Sequence, residues 1–288
     1  MDIRFLESLV AVVETGSIAA AARRQKLTPA AVSQRMTALE RNLGTLLLAR
    51  GAHSAAPTDA CLALLPRARH LIDELANLRG DLDEQGLSGE VRIGAISTAL
   101  TGFFPAVLQT TARLAPNLKI QLTPGTSLQL YEQVKAGHLD GAVLAAPPFA
   151  VPKTLTSHLI RSEPLTFLSP RLVAAADIGN AIMAAPFIRY DPLAWGGRHV
   201  SDYLERQGLA PDISFDLDAL ETIALLVAKG MGNALVPAWP GIQQDGFHAM
   251  GVPDAAHFQR KILFIHRVSG RLKTLLFLKD RLVESVGR

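Results

Sequence analysis

The stretch LTPAAVSQRMTALERNLG, residues 27–44, constrains the fold more than any other part of the chain. Thr28 can cap a helix and Pro29 suits its first turn, where a missing N–H costs nothing. Val32, Met36, Leu39 and Leu43 follow at spacings of four, three and four, which predicts one buried stripe, and Gly44 suits the exit. The opposite side carries Ala30, Ser33, Gln34, Thr37 and Arg41. A helix kept only for packing would more often fill that side with Glu and Lys. Small polar side chains instead suit a surface that something must approach closely.

What precedes this helix fits it. Phe5, Leu6, Leu9, Val10 and Val13 form an apolar stripe that Gly16 closes, and Ser17 can cap a short Ala-rich helix from Ile18 to about Gln25. Two helices joined by a tight turn, the second presenting polar side chains, form the helix-turn-helix pattern. LLLAR and GAHSAAPT then read as a strand and a loose turn, the sequence of a wing. Charge agrees with this division. Residues 1–58 hold seven Lys/Arg against four acids, whereas 59–90 hold three Arg against seven acids. A small basic head followed by an acidic stretch suits a nucleic-acid contact ending near residue 58.

Residues 59–86 read as one long helix. Leu64, Ala68, Leu71, Leu75, Leu78 and Leu82 alternate spacings of four and three, a heptad seam that predicts self-association. Packing onto the chain's own body is the alternative, and Pro66 could kink the start. Beyond Gly86 the pattern alternates: EVRIGAI strand, Leu100–Leu114 helix, KIQLTP strand, Leu128–Lys135 helix, GAVLA strand. A second set follows: strands LTFLS and PFIRY, helix Val200–Gln207, strand ISFDL, helix Leu220–Lys229, strand NALVP, strand RKILFIHR and helix Leu272–Val286. Repeated strand–helix–strand units imply parallel sheets covered by helices. With crossovers near 161 and 267, the expected domains are a head over 1–58 and a linker over 59–87. A first lobe takes 88–161 and 267–288, and a second takes 162–266.

Catalytic motifs are absent from the sequence. It holds no Gly-x-Ser-x-Gly elbow, HExxH or Walker loop, and GMGNAL runs from helix into strand, the wrong order for a dinucleotide fingerprint. His248, His257 and His266 lack metal-ligand spacing. The expectation is no enzyme, no cofactor and no metal. Cys61 is the one cysteine, so no internal disulfide forms. MDIRFLESLV does not read as a signal peptide, and no apolar run reaches the length of a membrane span. Cytoplasmic residence without membrane contact is the expectation.

The chain resembles the LysR-type transcriptional regulators. The stretches that carry the resemblance are ETGSIAAAARRQKLTPAAVSQRMTALERNLGTLLLAR, PRARHLIDEL, AGHLDGAV and LVAKGMGNALVP, in the family's order and spacing. The resemblance implies an α/β protein with an all-α head. Its parts would be a winged helix-turn-helix, a dimerising linker helix and a two-lobed effector domain like periplasmic binding proteins. The chain departs from the family at Leu48, where Phe is usual, at Pro29, often Gln, and in a wing with few basic residues. AAVSQRMTALE, LLLARGAHSAAPT and FQRKILFIHR further resemble the branch that responds to arginine and lysine and activates amino-acid exporters.

On this resemblance the 29–43 helix lies in the major groove of double-stranded DNA. Ser33, Gln34 and Thr37 would meet base edges, and Gln can pair bidentately with adenine. Thr28, Arg35, Arg41 and Arg50 would meet phosphates, with Ser17, Pro29 and Ala30 completing the contact surface. Leu64, Leu71, Leu75, Leu78 and Leu82 would join two copies into a homodimer, or a tetramer, on a two-fold related operator. RNA polymerase is a further partner of such a regulator. A small-molecule effector would sit between the lobes. Ser97, Thr98, Thr126 and Ser127 match the family's pocket positions, although each is also an ordinary place for a helix cap. Asp191 aligns with an acid of the basic-amino-acid branch, with Asp216 and Asp218 as rivals, and Trp195 would close the cleft or pack. The competing reading is a two-lobed solute-binding protein or enzyme with a helical assembly domain.

Overall fold

A computed structural model describes residues 2–50, 55–81, 87–242, 245–267 and 271–286. The chain divides into two compact units, an amino-terminal one and a larger α/β one that begins at Leu87.

The first unit starts with α1 (Ile3–Thr15), α2 (Ile18–Gln25) and α3 (Pro29–Leu43). Each begins on a side-chain cap: Asp2, Ser17 and Thr28 accept from the backbone N–H of Arg4, Ala20 and Ala31. Gly16 and Gly44 end α1 and α3 in the left-handed conformation. The turn between α2 and α3 uses Lys26 there instead, at φ 56°, an uncommon place for a side-chain-bearing residue. Leu9, Val12, Ala21, Val32 and Leu39 make the core, and buried Ala21 and Ala22 let α1 and α2 approach closely. Leu43 does not complete the buried stripe and is 40% exposed. The wing is β1 (Leu48–Arg50) paired antiparallel with β2 (Ala55–Pro57). The Glu40 carboxylate receives the N–H groups of Leu47 and Leu48 at 2.8 and 3.2 Å and so turns the chain into it. Helix α4 (Asp59–Asp81) follows, with Pro66 inside it.

In the second unit, β3 (Gly89–Ala95) leads into α5 (Ser97–Gly102), α6 (Phe104–Leu114), β4 (Leu118–Pro124), α7 (Ser127–Lys135) and β5 (Gly141–Ala145). The single helix expected over 100–114 is therefore two, because Pro105 sits in the opening turn of a new helix. Strand β6 (Leu155–Ser169) is longer than the LTFLS expected. It pairs with the carboxy-terminal β11 (Gln259–Arg267) through Pro164, then with β9 (Asn233–Pro237) from Leu165. Between them come α8 (Ile178–Ala184), β7 (Phe187–Tyr190), α9 (Arg198–Arg206), β8 (Ile213–Leu217), α10 (Leu220–Ala228) and, after β9, β10 (His248–Gly251). Helix α8 and strand β10 add to the elements that the sequence pattern predicts. Helix α11 (Leu272–Val286) closes the chain.

The strands run in the order β4-β3-β5-β11-β6-β9-β7-β8, with β10 on β6. Two cores lie along this path. One gathers Ile93, Phe104, Leu130, Val143, Phe264 and Leu278, the other Phe167, Ile182, Phe187, Ile223 and Leu235. Phe258 packs in the second core, and β11 pairs with β5 and packs in the first core from Ile262 on, so the chain crosses back between Phe258 and Ile262, before the return expected near 267.

Candidate DNA-reading face and effector cleft

On α3, Ala30, Ser33, Gln34, Thr37 and Arg41 all face solvent, with Thr28 and Pro29 at its exposed start. Ser17 and Thr28 spend their hydroxyl oxygens on capping. Arg35, expected at a phosphate, points inward instead. Its guanidinium donates to Ser8 Oγ at 3.0 Å, and Ser8 in turn donates to Gln25 at 2.8 Å. Ser8 is wholly buried in α1, so this chain of bonds ties the three helices and satisfies its hydroxyl. Arg50 ends β1, and its side chain lies outside the described residues.

The heptad seam divides. Ala68 is buried in the head's own core and Leu64, partly buried, packs against it, the alternative that the sequence left open for this stretch. Farther along α4, Leu71 and Leu75 are 40% and 45% exposed. The side chain of Leu78, and Leu82 altogether, lie outside the described residues.

In the α/β unit a cavity of about 480 Å³ opens beyond the carboxyl ends of β3, β4, β7 and β8. Crevices at such strand ends are where open α/β sheets hold ligands, and this volume suits a small molecule. All five expected effector residues, Ser97, Thr98, Thr126, Ser127 and Asp191, line it. Their hydrogen bonds set what each can offer. Thr126 and Gln129 form a reciprocal cap on α7, at 3.3 and 3.1 Å. Ser127 Oγ accepts from Ala145 N at 3.1 Å, which leaves its hydrogen to donate. Thr98 is buried and accepts from Arg260 Nη2 at 3.2 Å, so it secures the wall rather than facing the space.

Arg260 is the lining residue that sequence reasoning missed. It is 2% exposed; its Nε donates to Glu163 Oε2 at 2.7 Å, and its Nη2 lies 2.6 Å from the same oxygen as an ion pair. Glu163 and Tyr190 beside it raise the guanidinium's pKa against the opposing effect of burial, while burial pushes Glu163 upward. A signal was available: in QRKILFIHR, Arg260 alternates in phase with Ile262, Phe264 and His266, all buried.

Two acids define the cavity's other character. Asp191 caps its own loop, accepting from Leu193 N at 2.8 Å, and the loop closes where a Cβ on Gly197 would meet the Asp191 carbonyl oxygen. Asp218 lines the same space, and desolvation first, then the like charge of Asp191, push its carboxyl above the ordinary range. No ion pair engages either acid among the described residues. Asp216 is excluded from the role, because Arg189 holds it at 2.6 and 2.9 Å away from the cavity. Trp195, on the Asp191 loop, packs edge-to-face on Tyr131 and Phe149 with centroids 5.7 Å away in each case, and also lines the cavity. No group of three or more His, Cys, Asp or Glu among the described residues could hold a metal, and none of their helices is long and apolar enough to cross a membrane.

A winged helix-turn-helix, a long helix and a two-lobed α/β body with a ligand-sized cleft together define a DNA-binding regulator under small-molecule control. Comparison with known proteins gives the family. Residues 3–62 match the bacterial regulatory helix-turn-helix protein, lysR family, and residues 84–277 match the LysR substrate binding domain. The chain belongs to the LysR family of transcriptional regulators. It is 29% identical over 249 residues to the HTH-type transcriptional regulator TtuA of Agrobacterium vitis, covering 83% of this chain and 81% of that one. It is 27% identical over 249 residues to the HTH-type transcriptional activator IlvY of Salmonella typhimurium, covering 82% of each. A full-length OxyR variant of Pseudomonas aeruginosa shares the fold at a TM-score of 0.70 and 19% identity, over 98% of this chain and 94% of that one. Full-length CbnR complexed with its target DNA does so at 0.65 and 22%, over 99% and 100%.

Proposed function

We propose that this regulator reads a two-fold related operator through α3 and responds to a basic amino acid held in the cleft. On DNA, Ser33, Gln34 and Thr37 meet base edges while Thr28, Arg41 and Arg50 position the head on phosphates, with Ser17, Pro29 and Ala30 at the contact surface. Leu71 and Leu75 are the described seam residues available to a second copy, and the assembly works in the cytoplasm, in contact with RNA polymerase. Its role is regulation rather than catalysis. In the cleft, Thr126 and Ser127 at the start of α7 receive the effector's carboxylate, and Asp191 and Asp218 receive its cation. The observation that carries the effector class is this pair of acids on one cavity, neither of them in an ion pair among the described residues, while Arg260 is paired with Glu163.

Thermal unfolding against a panel of amino acids tests the reading. L-lysine or L-arginine raises the melting temperature of the wild type and leaves Asp191→Asn unmoved. A rise with an aromatic or aliphatic acid, and none with either basic amino acid, refutes it.

A further inference from the structure

Helix α5 follows a strand of the first lobe, yet residues of the second lobe hold it. Glu221, in the opening turn of α10, accepts from Ser97 Oγ at 3.0 Å, and its other oxygen lies 3.2 Å from Thr101 Oγ1, whose one hydrogen is shared with the carbonyls of Ser97 and Thr98. At the far end of α5, a Cβ on Gly102 would lie 2.5 Å from the carbonyl oxygen of Pro240, so backbone presses on backbone there. The break at Phe103 separates α5 from α6, whose Phe104 and Val107 are sunk in the first core. Ala99 and Phe103 anchor α5 in the first core, so the second lobe's hold falls on the exposed side that carries Ser97 and Thr101.

Ser97 carries one hydroxyl hydrogen, and Glu221 has it. No salt bridge engages Glu221 among the described residues, so the two hydroxyls are its side chain's recorded partners. Ser97 also lines the cavity. An effector carboxylate reaching Ser97 therefore competes with a carboxylate already in place.

We propose that Glu221 is an internal latch: it holds the second lobe to α5 in the effector-free protein, and an effector that takes the Ser97 hydrogen releases it. Filling the cleft and unlatching the lobes are then one event, which gives the effector a differential interaction with two lobe arrangements. The inference rests on the cleft reading above and extends its carboxylate site from Thr126 and Ser127 to Ser97, which lines the same cavity.

The test uses the full-length protein and its Glu221→Ala and Glu221→Gln variants. Amide hydrogen exchange without added ligand comes first, titration with L-lysine and L-arginine second. Glu221→Ala speeds exchange several-fold over 97–103 while the β6–β11 ladder keeps its protection, and Glu221→Gln, which retains one acceptor oxygen, falls between. Glu221→Ala also binds L-lysine about three- to tenfold tighter, since the competent fraction of the cleft rises. Unchanged exchange over 97–103 overturns the latch. Faster exchange with equal or weaker lysine affinity overturns the competition. If wild type and variants alike bind neither amino acid, the effector reading falls, and the exchange result alone decides the latch.

Discussion

Replacing Glu163 with glutamine removes one charge and leaves the shape of the hinge between the lobes almost unaltered. Glu163 Oε2 accepts from Arg260 Nε at 2.7 Å and lies 2.6 Å from its Nη2 as an ion pair, and the two side chains are 1% and 2% exposed. A glutamine that keeps its amide oxygen in that place preserves the hydrogen bonds and strands a buried guanidinium without its counter-charge. Breaking a buried pair in this way costs about 3–5 kcal/mol. The lower end applies here, because Thr98 Oγ1 at 3.2 Å and the Tyr190 hydroxyl continue to solvate Arg260. In a unit of this size each kcal/mol lowers the melting temperature by roughly 2–4 °C, so about 3 kcal/mol becomes a fall of roughly 6–12 °C. Both tryptophans, Trp195 and Trp239, belong to the α/β unit, so fluorescence-detected urea unfolding reports it without signal from the head. Glu163→Leu combined with Arg260→Met removes both charges and recovers most of the loss. A loss under about 1 kcal/mol in the single variant, or a double variant no better than the single, refutes the argument that the pair's charges are matched in isolation from water.

Desolvation and Asp191 raise the Asp218 pKa in the folded state, so this group's contribution to stability falls as pH rises from about 3.9 through the folded value. Asp218→Asn therefore gains slightly in melting temperature at pH 7.5, within about 1 kcal/mol of stability, and loses the lysine-induced shift. In the wild type lysine affinity drops as pH falls through the raised Asp218 value, which calorimetry over a pH series from 7.5 downward measures. Leu71→Asp with Leu75→Asp weakens self-association and operator binding together, and an unchanged mass by light scattering contradicts the seam. Gln34→Ala costs about 1–3 kcal/mol on the specific site and little on random DNA; equal losses on both, across a salt series, mean Gln34 reads no base.

Legibility in the sequence followed the range of the forces involved. The second and third head helices and the end of the first were readable because those ends are set locally, by Ser17 and Thr28 hydroxyls and by Gly16 and Gly44 in the left-handed conformation, whereas the Asp2 cap that starts the first was not singled out. Pro164 hid the length of β6, since proline inside a run argues against a strand. It is tolerated here because it stands where β6 leaves β11 for β9, and its carbonyl still receives Ala238 N at 2.8 Å. Arg35 misled for a different reason. An arginine on a polar helix reads as a phosphate contact until α1 supplies a buried serine hydroxyl within its reach, and that serine lies 27 residues away in sequence.

The cleft shows the same limit at its sharpest. Ser97, Thr126 and Asp191 stand just after strands, where position alone marks a residue as facing a crevice. What each offers a ligand is decided by its partners: Gln129, in a local capping pattern, for the Thr126 lone pair, but Glu221 for the Ser97 hydrogen and Glu163 for the Arg260 charge. Two of these partners come from other strands or helices at separations of 124 and 97 residues. The residue types around a cleft therefore limit the class of its ligand, while the cleft's own hydrogen-bond partners decide which donors and acceptors remain to bind it. Among the described residues they leave Asp191 and Asp218 outside any ion pair and Ser97 already engaged, so on the reading proposed above a carboxylate at Ser97 must displace one.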